Sequence, residues 1–206
     1  MSDRRHSKLV KKEAKQELIR SIGDELEKAT NGPDEPGKLF ICYSDVERIW
    51  ADESKIETLL HPDELSQDVL AFIQQKMILI LSILVMSGAN LFFTQFRARL
   101  FDRGSGNAFW TDDGVPFEED QLGFLVHDLG LLRRFYLYQF RFKPEVIEIT
   151  RHQRKQTVDP RVPLPFVHTI TNVGVGGYGK VDRVGIAPAY IKGEEGSVWG
   201  TVSTSN

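Results

Sequence analysis

The residues best suited to chemistry are Gly174, Gly176 and Gly179, spaced G-x-G-x-x-G within NVGVGGYGKVDRVGI, with Val181 two residues further on. Glycine has no Cβ, so such a stretch can adopt φ > 0 and bring backbone N–H groups close to phosphate oxygens. Thr169 and Ile170 precede the glycines, and Val184 and Ile186 come after them. β-favouring residues on both sides predict strand, flexible glycine loop, strand. A dinucleotide fingerprint would need a helix after the glycines, and Pro188 arrives before a helical turn can form. The alternative is a glycine-rich hairpin with no ligand.

Other reactive types are scattered. His127-Asp128 and the distant His61 make an incomplete ligand set, so no metal site is assigned. Asp112-Asp113 and Glu118-Glu119-Asp120 read as loop and helix-start charges, because acidic side chains suit a helix N-terminus. No Ser or Thr has a paired His that would make it a nucleophile, and no catalytic residue is assigned.

The elements that must position the glycines come from the rest of the chain. Its 206 residues allow one domain, or one and part of a second. A net charge of −3 gives no global argument for nucleic acid or an anionic membrane, and no nucleic-acid partner is expected. Cys42 is the only cysteine, which excludes an internal disulfide and suits a reducing compartment. The charged N-terminus lacks an apolar signal region. The expectation is an intracellular protein, cytoplasmic or nuclear.

Ser2 to Ala29 is mostly charged, with Leu18, Ile22 and Leu26 four apart, and predicts a helix with a thin apolar stripe. Its basic cluster of Arg4, Arg5, Lys8, Lys11 and Lys12 has the composition of a localisation signal or a phosphate-binding arm. Interleaved Glu13 and Glu17 favour a solvated helix. Asn31-Gly32-Pro33 to Pro36-Gly37 breaks the chain. Leu39 to Tyr43 reads as extended. Ser44 to Glu47 has capping-box spacing and should start the helix carrying Ile49 and Trp50. Ile56, Leu59 and Leu60 predict another short helix before His61-Pro62.

From Asp63 to Ser87 the pattern predicts one helix buried on most sides, at the centre of a helical domain. Its continuous apolar part, from Met77 to the first glycine at Gly88, reaches about half of what a membrane span needs, and no span is expected. Leu91 to Phe101 reads as helix, Asp102 to Val115 as a polar loop holding Phe109 and Trp110, and Pro116 to Phe142 as a long helix. The aromatic end of that helix is read as core, with a partner surface as the alternative. Pro144 is expected to open a short helix through Ile149. Arg151 to Pro165, with Pro160, Pro163 and Pro165, reads as an extended connector, and the chain after the glycine hairpin as a polar tail. No internal repeat is present.

In this order the segments resemble fungal protein-kinase-like proteins that carry a helical region ahead of a kinase domain. The resemblance rests on Ile49-Trp-Ala-Asp52 with Ile56 and Leu59-Leu60, the buried helix, and Phe92 to Phe117. It continues through Tyr138-Gln139-Phe140 and Leu164-Pro165-Phe166 to Val173-Gly-Val-Gly-Gly-Tyr-Gly-Lys-Val181. It covers most of residues 40 to 190, and its specific part is the glycine loop. The resemblance implies ATP and Mg²⁺ as ligands of a parent serine/threonine kinase. Its nucleotide contacts would be Val173, Gly174, Gly176, Gly177, Tyr178, Gly179 and Val181, with the two valines against the base and Tyr178 capping the loop tip. Ala189-Tyr190-Ile191-Lys192 has the form of the strand that carries the phosphate-gripping lysine. Family members hold a longer insert before that lysine, which argues against Lys192 in the role.

Neither H-R-D nor D-F-G occurs after Val181, so this chain alone is expected to be catalytically inactive. The resulting expectation is a mainly α chain: a charged helix and linker (1–38), a helical domain (39–150), a proline-rich connector (151–166), and a truncated β-hairpin resembling the start of a kinase N-lobe (167–206). The alternative is a non-enzymatic helical module that binds a protein partner and carries an inert C-terminal hairpin.

Overall fold

A computed structural model describes residues 2–32, 39–60, 66–89, 110–125, 128–149, 157–176, 179–193 and 201–204. The chain is mainly helical with a few small strands. Contacts divide it into two compact units, Met1–Ala29 with Tyr43–Gln139, and Thr30–Cys42 with Phe140–Asn206. This division cuts across the expected boundaries. Both Phe40-Ile41 and the prolines at 163 and 165 belong to the second unit, because long-range strand pairing rather than local composition sets the contacts.

The first unit contains α1 (Ser2–Lys28), α2 (Tyr43–Ile49), α3 (Glu53–Leu60), α4 (Gln67–Lys76), α5 (Ile78–Ser87) and α6 (Leu129–Gln139). At its centre is α5, buried from Ile78 to Val85, with α1, α2, α4 and α6 packed around it. Among the described side chains of α1, Ile19, Ile22 and Leu26 contribute to this core.

The expected single helix over 63–87 is two helices, α4 and α5, bent by 74° at Met77. Its first residues, 63–65, lie outside the described set. No proline or glycine causes the break. The cause lies 33 residues away: the buried carboxylate of Asp112 accepts the backbone N–H groups of Leu79 (3.0 Å) and Ile80 (3.1 Å). First-turn N–H groups have no partner within their own helix, so a remote carboxylate can hold a new helix start inside an apolar run. At the other end Gly88 takes φ 75°, and the N–H groups of Gly88 and Ala89 bond to Val85 and Leu84 in a Schellman closure. Arg134 Nε also donates to the Ser87 carbonyl at 2.8 Å. A negative group at the N-terminus and a positive one at the C-terminus both complement the α5 dipole.

Within the core, Trp50 Nε1 donates to Ser82 Oγ at 2.8 Å, and Ser82 donates in turn to the Ile78 carbonyl at 2.7 Å. Lys55 Nζ donates to the Ile49 carbonyl at the end of α2 and to Glu25 of α1. Among the described residues no single helix is long and apolar enough to cross a membrane; the bent α4–α5 pair meets that test by length and composition only.

Three further local expectations need correction. Helix α2 begins at Tyr43, so Ser44 lies inside its first turn rather than at the cap. The long helix expected over 116–142 is a 3-10 segment (Glu119–Leu125) and then α6, with Phe140–Phe142 as a separate 3-10 turn. Asp128 provides the local start signal, its carboxylate accepting the Leu131 N–H at 2.9 Å. Before these, Val115-Pro116 is cis, and the buried Gln139 amide bonds both the N–H and the carbonyl of Phe117. The expected helix over 144–149 is a strand, Ile147–Ile149, where β-branched residues find a partner strand. The helix expected over 91–101 lies outside the described residues.

The second unit holds β1 (Thr30–Asn31) and β2 (Phe40–Ile41), β3 (Ile147–Ile149), β4 (Phe166–Gly176), β5 (Gly179–Ile186), β6 (Ile191–Gly193) and β7 (Thr201–Thr204). These form an antiparallel β1-β2 pair, a parallel β3-β6 pair and a three-stranded antiparallel sheet ordered β4-β5-β7. Its buried side chains include Phe40, Phe140 and Phe142, with Tyr190 edge-on to Phe40 at 6.1 Å.

Candidate nucleotide-binding hairpin

Strand β4 starts where Pro163 and Pro165 end. The Pro165 carbonyl accepts Ala187 N–H at 2.9 Å, tying the entry of β4 to the exit of β5. A proline has no N–H to add to a sheet, and here it contributes through its acceptor instead. From this base the strands run antiparallel in the register Thr169↔Val184, Ile170↔Arg183, Gly174↔Val181, Val175↔Lys180 and Gly176↔Gly179.

Three residues of β4 (Thr171, Asn172, Val173) face one residue of β5 (Asp182) between the Ile170 and Gly174 pairs. This bulge sits immediately before the first glycine. Bulges bend a strand and increase its twist, re-aiming the residues beyond them. Past this one, the pairs Gly174–Val181 and Gly176–Gly179 have only one Cβ among four positions. A backbone this bare can be approached closely by a ligand.

The glycine stretch is therefore less of a loop than expected: Gly174 and Gly176 end one strand, and Gly179 begins the next. Val173 lies in the bulge and Val181 opposite Gly174. Gly177 and Tyr178, the remaining expected contacts, lie outside the described residues.

The chain beyond the hairpin differs from the expected polar tail and from a lone two-stranded hairpin. Strand β7 pairs on the free edge of β5, from Lys180↔Thr204 to Arg183↔Thr201, making β5 the middle strand. Polar Thr and Ser residues suit such an edge strand. Lys192 lies on β6 in a different sheet, where it is exposed and stands beside Glu148 of β3 in parallel register. That position does not bring it onto the glycine sheet.

The other residues considered for chemistry have structural positions. Asp112 caps α5, Asp113 makes an exposed ion pair with Lys76 at 3.5 Å, and Asp128 caps α6. His61 and His127 lie outside the described residues. Among the described residues, no group of His, Cys, Asp and Glu could hold a metal ion. Two exposed carboxyls are held below the usual range by local hydrogen bonds: Asp52 by Ser54 at the start of α3, and Asp159 by Arg161 in the turn before β4. Both are turn-forming arrangements. Sequence reasoning missed Asp112 and Gln139 as organising polar residues, since each acts on backbone more than 20 positions away. No protein-family model matches the chain, and no characterised protein or solved structure matches it.

Proposed function

We propose that the glycine hairpin is the phosphate-covering start of a protein-kinase-like nucleotide lobe, and that the chain is the N-terminal portion of such a protein. The observation carrying this reading is that G-x-G-x-x-G falls at the closed end of an antiparallel hairpin, with strand on both sides. The same motif ahead of a helix would have meant a dinucleotide fold. The bulge before Gly174 and the third strand beside β5 add support, giving the hairpin a defined bend and a sheet to stand on. The ligand is ATP, held through backbone N–H groups around Gly174, Gly176, Gly177 and Gly179, with Val173 and Val181 against the base. Mg²⁺ would arrive with the phosphates and be held by residues of a parent kinase. Without H-R-D and D-F-G, nucleotide binding rather than phosphoryl transfer is the property proposed for these residues.

The test is ligand-linked stabilisation. A nucleotide that binds only the folded chain raises its melting temperature by mass action. ATP with Mg²⁺ is expected to raise the melting temperature of the chain, and Gly176→Val to remove that increase without lowering the ligand-free value for the helical unit. No increase at saturating nucleotide would count against an autonomous site.

A second reading, a helical module that binds a protein, is favoured by α6. Leu129 and Leu137 are 72% and 59% exposed, eight residues apart on that helix. Under this reading nucleotide leaves the melting temperature unchanged, and Leu129→Ser with Leu137→Ser weakens partner binding without unfolding the unit.

A further inference from the structure

The chain's net charge of −3 conceals an uneven distribution. In α1, Arg4, Lys8, Lys11 and Lys15 recur at intervals of four, three and four residues. The same sequence continues through Ile19, Ile22 and Leu26. Such intervals keep to one face of an α-helix, so this is a single stripe with two characters. Its second part is apolar and buried in the first unit. Its first part is basic, with Arg5 and Lys12 seven apart beside it, and Asp3 and Glu13 are the acidic residues among positions 2–15. Residues 10–14 are all exposed, Lys11 and Lys12 among them. Lys15 marks the change of character: it is half-buried, and desolvation lowers its pKa. At 1.5 Å per residue, the basic part from Arg4 to Lys15 extends about 16 Å.

We propose that this basic half of α1 is a nucleic-acid-binding arm that takes the phosphate backbone of a duplex. Three physical arguments select that partner. A second copy of α1 would bring like charges together. An acidic protein surface would offer only exposed ion pairs, which contribute close to nothing net in water. A nucleic acid gains from each neutralised phosphate through release of condensed counterions, so a surface with charge and little apolar area suffices.

A flat anionic membrane fits the charge but not the shape. The basic stripe continues the face against which α5 packs, so the helical unit itself stands on that side. A plane would meet the unit before it met the length of the stripe. A rod-shaped polyanion can lie along the arm beside the unit.

The test uses the full chain and a fluorescently labelled short DNA duplex, with anisotropy measured across a salt series. Lys15 Nζ is buried, so it is not counted among the engaging cations. The logarithm of the binding constant is expected to fall linearly with the logarithm of salt, with a slope approaching about −4.5 if Arg4, Arg5, Lys8, Lys11 and Lys12 all engage. Lys11→Glu with Lys12→Glu is expected to weaken binding at least about tenfold and flatten the slope by about 2, with the melting temperature and far-ultraviolet circular dichroism unchanged. Lys28→Glu, at the other end of the same helix, should leave both quantities as they are. The proposal is overturned if the duplex does not bind at low salt, or if the double variant binds like the parent. Variant-sensitive binding to phosphatidylserine vesicles without duplex binding overturns it in favour of a membrane.

Discussion

Asp112 holds the start of α5 from 33 positions away in the sequence. Its two oxygens satisfy two N–H groups inside the core, and an unpaired buried donor costs about 1–3 kcal/mol. Asp112→Ala is therefore expected to destabilise the first unit by a few kcal/mol in urea unfolding, and Asp112→Asn by less, since the amide keeps one acceptor. Tyr43 offers a pH test in the same unit. Partial desolvation of this exposed residue first, and then the carboxylates of Glu47, Asp112 and Asp113, raise its hydroxyl above its ordinary value of 10.0. The folded chain thus keeps this proton to higher pH than the unfolded chain does. Its contribution is complete below about pH 10 and is lost as pH rises through the folded value. Tyr43→Phe should reduce the fall in urea midpoint between neutral pH and about pH 11. The role of Asp112 was not legible in the sequence, where Asp112-Asp113-Gly114 reads as loop charge. The partners are backbone groups more than 30 positions away, and no local spacing encodes such a bond.

At the scale of elements, local signals were legible and remote ones were not. Helix α1 is implied by its charged composition and thin apolar stripe. The end of α5 is set by Gly88, whose positive φ few other residues accept. Gly88→Ala should cost about 1–2 kcal/mol, measured as a lower melting temperature with unchanged helix content. The bend at Met77 was invisible because the apolar run continues through it and its cause is a carboxylate from elsewhere. The hairpin was legible from β-favouring residues around glycines. Strand β7 was not, because Thr201-Val-Ser-Thr204 is a strand only beside β5. Deleting residues 201–204 should leave the melting of the helical unit unchanged. It should raise amide exchange along β5, whose hydrogen bonds on that side would pass to water.

Over the whole molecule, the two units carry different chemistry. The first is a helical body whose central apolar helix is held at both ends by side chains of the correct sign, and whose α1 continues into a basic arm. The second is a set of small sheets presenting a glycine-rich hairpin end. The glycine spacing among β-favouring residues points to that hairpin, and the register places Gly174, Gly176 and Gly179 at its end. Amide hydrogen exchange tests the proposed nucleotide binding at the hairpin most directly. With ATP and Mg²⁺ present, slower exchange is expected only in peptides spanning 172–181, with the same peptides unchanged in Gly176→Val. Unchanged exchange throughout 166–186 at millimolar ATP, or protection appearing only in the helical unit, would contradict it.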